Sequence, residues 1–218
     1  MIRILLCVLS FLSVSSVFAR ESLVYHQMEH AGYTRYYAVA ESSFPSTTKR
    51  PLLVVAHGSQ GSPERTSAAS RMQKMCDATV GCQVVYPAAC SEYAKPGDQC
   101  PGGRHARWQR SADHDPQVDD AGFIRDMVFE LIKDPDLNID HTQVYMTGVS
   151  NGGRFVYHVY CSHAFPFAGY ASFMGTPAPV YRDCRPRPGA VLAHVHGTKD
   201  EKVPFSWDLL DRIAEQNQ

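Results

Sequence analysis

The chain lacks the features that mark membrane-anchored, nucleic-acid-binding and metal-binding proteins. Beyond residue 19 it has no apolar stretch long enough to serve as an anchor. Its 21 lysines and arginines are balanced by 22 aspartates and glutamates, so nothing in its charge favours nucleic acid or an anionic membrane as a partner. No Cys-x-x-Cys spacing supports a metal site, and no repeat or low-complexity tract divides the chain. These absences favour one globular domain.

Residues 1–19 have the pattern of a secretory signal peptide. Arg3 precedes an apolar stretch over 4–17, and Val17 and Ala19 are small residues at the positions that a signal peptidase requires. The stretch is too short and wrongly flanked for a membrane span. We therefore expect cleavage after Ala19, a single domain over 20–218, and export to the periplasm or the extracellular space.

The chain has seven cysteines, of which Cys7 belongs to the leader. An even number remains, which favours disulfides in an exported protein. The remaining six are Cys76, Cys82, Cys90, Cys100, Cys161 and Cys184. Six cysteines allow many pairings, but proximity in sequence predicts Cys76–Cys82 and Cys90–Cys100, which leaves Cys161–Cys184.

Strand-like and helix-like patterns alternate along the second half of the chain. Runs with strand character lie at 23–28, 35–40, 52–56, 83–86, 143–147, 168–173 and 191–196. The run at 52–56 is apolar throughout, as in a strand covered on both faces. Helices are predicted over 62–76, where Ser62 is the cap, and over 120–133, where one broad face is apolar. Asp119 and Asp120 open the second helix and are expected to cap it. The alternation predicts an α/β fold with a mostly parallel sheet and helices on both faces.

The segment 87–117 shows little periodicity and is rich in glycine and proline. Long loops of this kind in a compact domain are usually functional or stapled. We expect a surface excursion near the site, with Trp108 either facing substrate or packed beneath the loop.

A Gly-x-Ser-x-Gly motif at Gly148, Ser150 and Gly152 lies between a predicted strand and a predicted helix. A serine on such a sharp turn exposes its hydroxyl above the sheet, as a nucleophile requires. Glycines on either side avoid side-chain clashes where strand and helix crowd each other. Ser150 is therefore the candidate nucleophile.

Serine hydrolysis also needs an oxyanion hole and an acid that orients the base. The amide after the nucleophile, that of Asn151, is one expected donor. Ser59 or Gln60, in the loop after the strand at 52–56, would supply the second. His57 is expected to organise this loop rather than to act as base. Asp200 follows a late strand, where the acid is expected; a turn aspartate that stabilises its own loop is the alternative.

These motifs together resemble secreted α/β-hydrolase esterases of the polyhydroxybutyrate depolymerase and feruloyl esterase type. The similarity spans about 52–205, and the segments that carry it are 57–58, 118–124, 138–140, 144–153 and 196–204. It implies an α/β-hydrolase fold and hydrolysis of carboxylic esters through a serine acyl-enzyme. Polyester, feruloyl or acetyl esters would be substrates, with no metal or organic cofactor. By position, Ser150 and Asp200 match the nucleophile and the acid of the family.

The chain departs from that family after Asp200. Family members continue through one more strand to a loop with the catalytic histidine, whereas only residues 201–218 follow Asp200 here, and 207–214 has the pattern of the preceding helix. None of the ten histidines is an obvious replacement; His194 and His196 are expected to pack within the core or loop. We expect a chain truncated before its last strand and its base.

Two other functions remain open. A non-catalytic protein of the same fold would bind an ester, polymer or glycan without turnover. A serine peptidase of the same fold would cleave an amide, because the loop at 197–204 also resembles that of such peptidases.

Overall fold

The computed structural model describes residues 20–45, 47–109, 118–184, 189–204 and 211. The predicted signal peptide over 1–19 and nearly all of the helix predicted over 207–214 lie outside these residues. Within them the helices are α1 Pro63–Ser70, α2 Met72–Ala78, α3 Asp120–Lys133 and α4 Asn151–Ser162, with a 3₁₀ turn at Pro179–Asp183. The strands are β1 Leu23–His30, β2 Tyr33–Ala40, β3 Arg50–Ala56, β4 Gln83–Pro87, β5 Gln99–Cys100, β6 Ile139–Val149, β7 Gly169–Phe173 and β8 Val191–Val195.

The strands form one mixed sheet in the order β1-β2-β4-β3-β6-β7-β8, and β5 pairs with β2 outside this path. The first two pairings are antiparallel, and every pairing from β4 to β8 is parallel. This architecture confirms the α/β fold and all seven predicted strands. β5 has no strand-like run in the sequence and was not predicted.

Helices cover both faces of the sheet, as predicted. Alternate residues of β3 show this: Leu52 and Val54 belong to the core beneath α3 and α4, whereas Val55 belongs to the core with Cys76 of α2. A strand buried on both sides has no polar face, and for this reason the run at 52–56 is apolar throughout.

The helix predicted over 62–76 is two helices. Ser62 caps α1 as expected, and its hydroxyl accepts a hydrogen bond from the Arg65 N–H at 3.4 Å. Arg71 then takes a left-handed conformation, with φ of 50°, and separates α1 from α2. Because arginine rarely adopts this conformation, the sequence carries no signal for the break.

Disulfides join the three predicted cysteine pairs, Cys76–Cys82, Cys90–Cys100 and Cys161–Cys184. The second pair closes a loop of the excursion that follows β4, between Cys90 and Cys100. Part of this excursion is interior rather than surface, since Cys90, Cys100 and Trp108 are at most 1% exposed. None of the helices in the described ranges is long and apolar enough to cross a membrane.

Candidate active site

Ser150 occupies the turn between β6 and α4 in a backbone conformation that side chains rarely adopt, with φ of 55° and ψ of −114°. Such a conformation costs about 1–3 kcal/mol and persists only where the surroundings enforce it. The Ser150 N–H donates to the Phe173 carbonyl at 2.8 Å, and the Ser150 carbonyl accepts from the Arg154 N–H at 2.9 Å. The strained turn is therefore held from both sides.

The two motif glycines make this turn possible. A Cβ atom on Gly148 would lie 2.5 Å from the carbonyl carbon and oxygen of Gly152. A Cβ atom on Gly152 would overlap the carbonyl oxygens of Ala56 and His57. The sequence-based explanation of both glycines, close approach of strand and helix, agrees with this geometry.

Ser150 lies in a cleft of about 210 Å³. The described residues that line it are Ser59, Arg107, Ser150, Asn151, Arg154, Lys202 and Val203. The cleft thus brings together Ser150, the two expected oxyanion residues Ser59 and Asn151, and the loop after β8. Sequence patterns gave no reason to expect Arg107 and Arg154 there.

The loop after β3 presents one of its two candidate amides to the cleft. The Gln60 N–H donates to the Ala106 carbonyl at 2.8 Å and is therefore already used. The Ser59 N–H has no acceptor among the described residues, and Ser59 lines the cleft. Gln60 is therefore the less suitable of the two alternatives, because its N–H is already bonded.

Asn151 contributes in two ways. It is the first residue of α4, where backbone N–H groups have no partner within the helix. Its side chain grips Trp108: Oδ1 accepts from the Trp108 N–H at 2.8 Å, and Nδ2 donates to the Trp108 carbonyl at 3.3 Å. Asn151 also lines the cleft, and its side chain fixes the neighbouring loop.

Trp108 itself does not face the cleft. It is 0% exposed, its ring stacks on Phe155 at 4.7 Å, and its Nε1–H donates to the His57 carbonyl at 2.9 Å. Of the two expectations for Trp108, the substrate-facing one is wrong, and packing beneath the loop is confirmed.

His57 organises its loop, as expected. The Ala89 N–H donates to Nε2 at 3.0 Å, so Nε2 is unprotonated and Nδ1 carries the hydrogen that is donated to the Gly58 carbonyl at 2.6 Å. Burial lowers the pKa of His57 to about 4. Both ring nitrogens are engaged, and the ring is not available to a serine hydroxyl.

Asp200 lies on the loop that lines the cleft through Lys202 and Val203. Its Oδ1 accepts from the N–H groups of Lys202 and Val203, both at 3.0 Å, and these bonds lower its pKa, the Val203 bond most. Its Oδ2 is 3.4 Å from Nε2 of His196. These contacts suit a loop-stabilising aspartate and leave one oxygen beside an imidazole.

No histidine is among the described residues that line the cleft. Several histidines instead have identifiable structural contacts. His194 Nδ1 lies 2.7 Å from the Tyr157 hydroxyl, His196 Nε2 donates to the Val203 carbonyl at 2.7 Å, and His158 contacts the Tyr181 hydroxyl. His194 and His196 are partly buried: His194 contacts α4 and His196 contacts its own loop, so the expected loop packing holds for His196 and neither belongs to the core. Nor do any three His, Cys, Asp or Glu residues of the described chain cluster as metal ligands.

Asp119 and Asp120 open α3, where capping was expected for both. Asp119 is the cap, since its Oδ1 accepts from the Gly122 N–H at 3.0 Å. Asp120 instead forms a buried ion pair with Arg35 at 2.6 Å. Its long-range partner explains why capping alone was the wrong interpretation of Asp120.

No known protein-family profile matches the chain. Two curated proteins are similar to it in sequence. One is the bifunctional acetylxylan esterase/xylanase XynS20E of Neocallimastix patriciarum, 26% identical over 71% of this chain and 20% of its own length. The other is NocK, a candidate esterase of Nocardia uniformis subsp. tsuyamanensis, 30% identical over 80% of this chain and 48% of its own length. The chain thus spans at most about half of these relatives.

Solved structures share the fold. A thermostable esterase superposes with a TM-score of 0.62 at 20% identity, over 89% of this chain and 52% of its own. The acylaminoacyl peptidase of Pyrococcus horikoshii superposes with a TM-score of 0.58 at 14% identity, over 92% of this chain and 36% of its own. At these identities the likeness concerns architecture alone. The chain has the α/β-hydrolase fold.

Proposed function

We propose that this chain hydrolyses carboxylic esters through an acyl-enzyme on Ser150. The observation that carries the proposal is the strained turn at Ser150, which opens onto a cleft shared with the loop after β3. Backbone strain of this kind persists where function requires it. Similarity to an acetylxylan esterase and to a candidate esterase supports an ester as substrate.

In the proposed reaction Ser150 Oγ attacks the ester carbonyl carbon as a general base takes the hydroxyl proton. The carbonyl oxygen becomes negative and is stabilised by the N–H groups of Ser59 and Asn151. The carbon–oxygen bond to the alcohol breaks as the alcohol takes up the proton. Water then attacks the acyl-enzyme in the same way and releases the acid.

Asp200 is the proposed acid that orients the base. Its position after β8 and the presence of its loop at the cleft support this role, and its lowered pKa keeps it ionised near neutral pH. We propose that the base is a histidine outside the described residues. The described residues that line the cleft include no side chain suited to accept the serine proton. Feruloyl, acetyl and polyester substrates suit the same mechanism. We also propose that the protein is exported, which agrees with its disulfides.

The proposal is tested by hydrolysis of 4-nitrophenyl acetate and by labelling with a fluorophosphonate. Both should be lost in Ser150→Ala and kept in Ser162→Ala, which changes the serine at the other end of the same helix. In Ser150→Ala, binding and the oxyanion hole alone should still leave a residual hydrolysis of the ester about 10³–10⁴-fold faster than that in water. If Ser150→Ala hydrolyses the ester as fast as the parent chain, the nucleophile assignment is wrong.

A binding protein without turnover is the second candidate, favoured by the absence of a histidine among the described cleft residues. It predicts saturable binding of an ester with no labelling of Ser150.

A peptidase is distinguished by the substrate: comparing a 4-nitrophenyl ester with a peptide 4-nitroanilide should show turnover of the ester alone if the proposed function is correct.

A further inference from the structure

The cleft at Ser150 is lined by cations. Arg107, Arg154 and Lys202 are three of its described lining residues, and no acidic side chain is among them. The chain as a whole is nearly neutral, with a formal net charge of −1. The positive charge at the cleft is therefore a local concentration and not a property of the entire surface.

Each cation reaches the cleft from a different element. Arg107 comes from the excursion after β4, Arg154 from the first turn of α4, and Lys202 from the loop after β8. The Arg154 N–H bonds to the Ser150 carbonyl at 2.9 Å, so its side chain begins one turn from the nucleophile. The N-terminus of α4 adds the positive end of a helix dipole.

Two described carboxylates, those of Glu92 and Asp200, offset part of this charge. Glu92 Oε2 is 3.2 Å from Nε of Arg107, and Glu92 lines a neighbouring cavity of about 180 Å³ instead of the cleft. A guanidinium has five N–H donors in a fixed fork, so the bond at Nε leaves terminal donors for a second partner. Asp200 accepts hydrogen bonds from the backbone of its own loop, and one of its oxygens remains beside His196, but its charge also attracts that of Lys202.

Arg107 is also held firmly in place. Its N–H donates to the Cys90 carbonyl at 2.9 Å, and Cys90 is tied to Cys100 by a disulfide. Its side chain is 43% exposed. A charged group on a fixed backbone and open to solvent is suited to a charged ligand, because little ordering is needed on binding.

We infer that the ester bound at Ser150 carries a carboxylate near the scissile bond, which the cationic lining recognises. This inference rests on the proposed function and specifies its substrate class. Converging cations focus the field in a cleft and raise the local concentration of anions. Guanidinium groups also bind carboxylates with directional, charge-assisted hydrogen bonds.

The test compares mono-4-nitrophenyl glutarate with its methyl ester, which has the same chain length and no charge. The anionic ester should have the lower KM, by roughly fivefold to tenfold, as for one or two partly exposed charge-assisted contacts. Raising the salt concentration from about 0.05 M to about 1 M should remove most of this preference, because screening weakens exposed charges. The KM of the methyl ester should change little.

Arg154→Gln and Lys202→Gln should each reduce the preference, while Lys199→Gln should not, since Lys199 is exposed on the same loop but does not line the cleft. Thermal melting checks that each variant folds. The inference is overturned if the two esters have equal KM values that do not respond to salt or to these substitutions. That result leaves the proposed function intact as long as turnover depends on Ser150. If turnover does not depend on Ser150, the proposed function fails instead, and equilibrium binding of the two esters to Ser150→Ala still decides the charge preference.

Discussion

The Arg35 guanidinium and the Asp120 carboxylate are 2.6 Å apart, and their side chains are 0% and 1% exposed. Arg35 also donates to the Val118 carbonyl at 3.2 Å, and the second oxygen of Asp120 accepts from the Gln109 N–H at 2.6 Å. The pair therefore connects β2, the start of α3 and the segment that carries Trp108.

Asp120→Ala should lower the free energy of unfolding by roughly 3–5 kcal/mol, because it leaves the Arg35 charge buried without a counter-charge. Urea denaturation measures the loss. Arg125→Gln is the matched control: Arg125 pairs with Asp126 at 2.7 Å, but both side chains are more than a third exposed, and the expected loss is below about 1 kcal/mol. Similar losses in the two variants would contradict this account of Asp120.

His30, at the end of β1, has both ring nitrogens 3.0 Å from carboxylate oxygens, Nε2 from Asp119 and Nδ1 from Asp126. The hydrogen bond to Asp119 raises the pKa of His30 above its usual 6.5, and the same bond lowers the pKa of Asp119 below 3.8. The protonated ring thus stabilises the fold fully below pH 6.5, and this contribution is lost as pH rises through the raised pKa.

For the Asp119 carboxylate the sign is reversed. Its contribution is present above pH 3.8 and is lost as pH falls through its lowered pKa. We therefore expect His30→Gln to reduce the melting temperature most between these two values, and much less at about pH 9. Melts of both proteins across this range test it. His57 titrates in both proteins, so its contribution cancels in the difference between their melting temperatures. A reduction that is independent of pH would refute the role assigned to His30.

Gly152→Ala should destabilise the chain by roughly 1–3 kcal/mol or more, since the new methyl group overlaps two backbone carbonyls. Ester hydrolysis should fall with it, because the turn at Ser150 must shift. Gly197→Ala serves as the comparison, for a Cβ there meets nothing within 4 Å. Its stability should change by no more than about 0.5 kcal/mol. Equal effects at the two positions would show that Gly152 is not closely packed.

Asn151→Ala retains the amide N–H of residue 151 but removes the two side-chain hydrogen bonds to the Trp108 backbone. In a Trp207→Phe background, which leaves Trp108 as the single tryptophan of the two, the fluorescence emission should move to longer wavelength as water reaches the ring. The turnover rate should fall, since His57 and its loop are held by the Trp108 indole. Unchanged emission would show that the two hydrogen bonds do not fix the ring.

Local patterns predicted the elements and the serine turn well. Periodicity located every long strand and the whole of α3, because burial on one or both faces dictates where apolar residues occur. The disulfides followed from proximity in sequence, since the two short loops leave a single remaining pair. The Gly-x-Ser-x-Gly motif identified the turn because its glycines are demanded by contacts a few residues away.

Contacts between distant segments were not predictable in this way. Nothing near Asp120 in sequence points to Arg35, and nothing near Trp108 points to Asn151 or Phe155. The left-handed Arg71 and the pairing of β5 with β2 likewise depend on tertiary packing and not on local preference. The positive lining of the cleft is of the same kind, because its three cations come from three separate parts of the chain.

The Cys90–Cys100 bond lies beside the segment that presents Arg107 to the cleft. A chain produced in a reducing bacterial cytosol would lack this link together with Cys76–Cys82 and Cys161–Cys184. Under the charge preference inferred above, two preparations of identical sequence would then differ in their KM for anionic esters, according to the compartment in which each one folded. The choice of expression host thus becomes an experimental variable for this protein, equivalent to a substitution in the cleft wall.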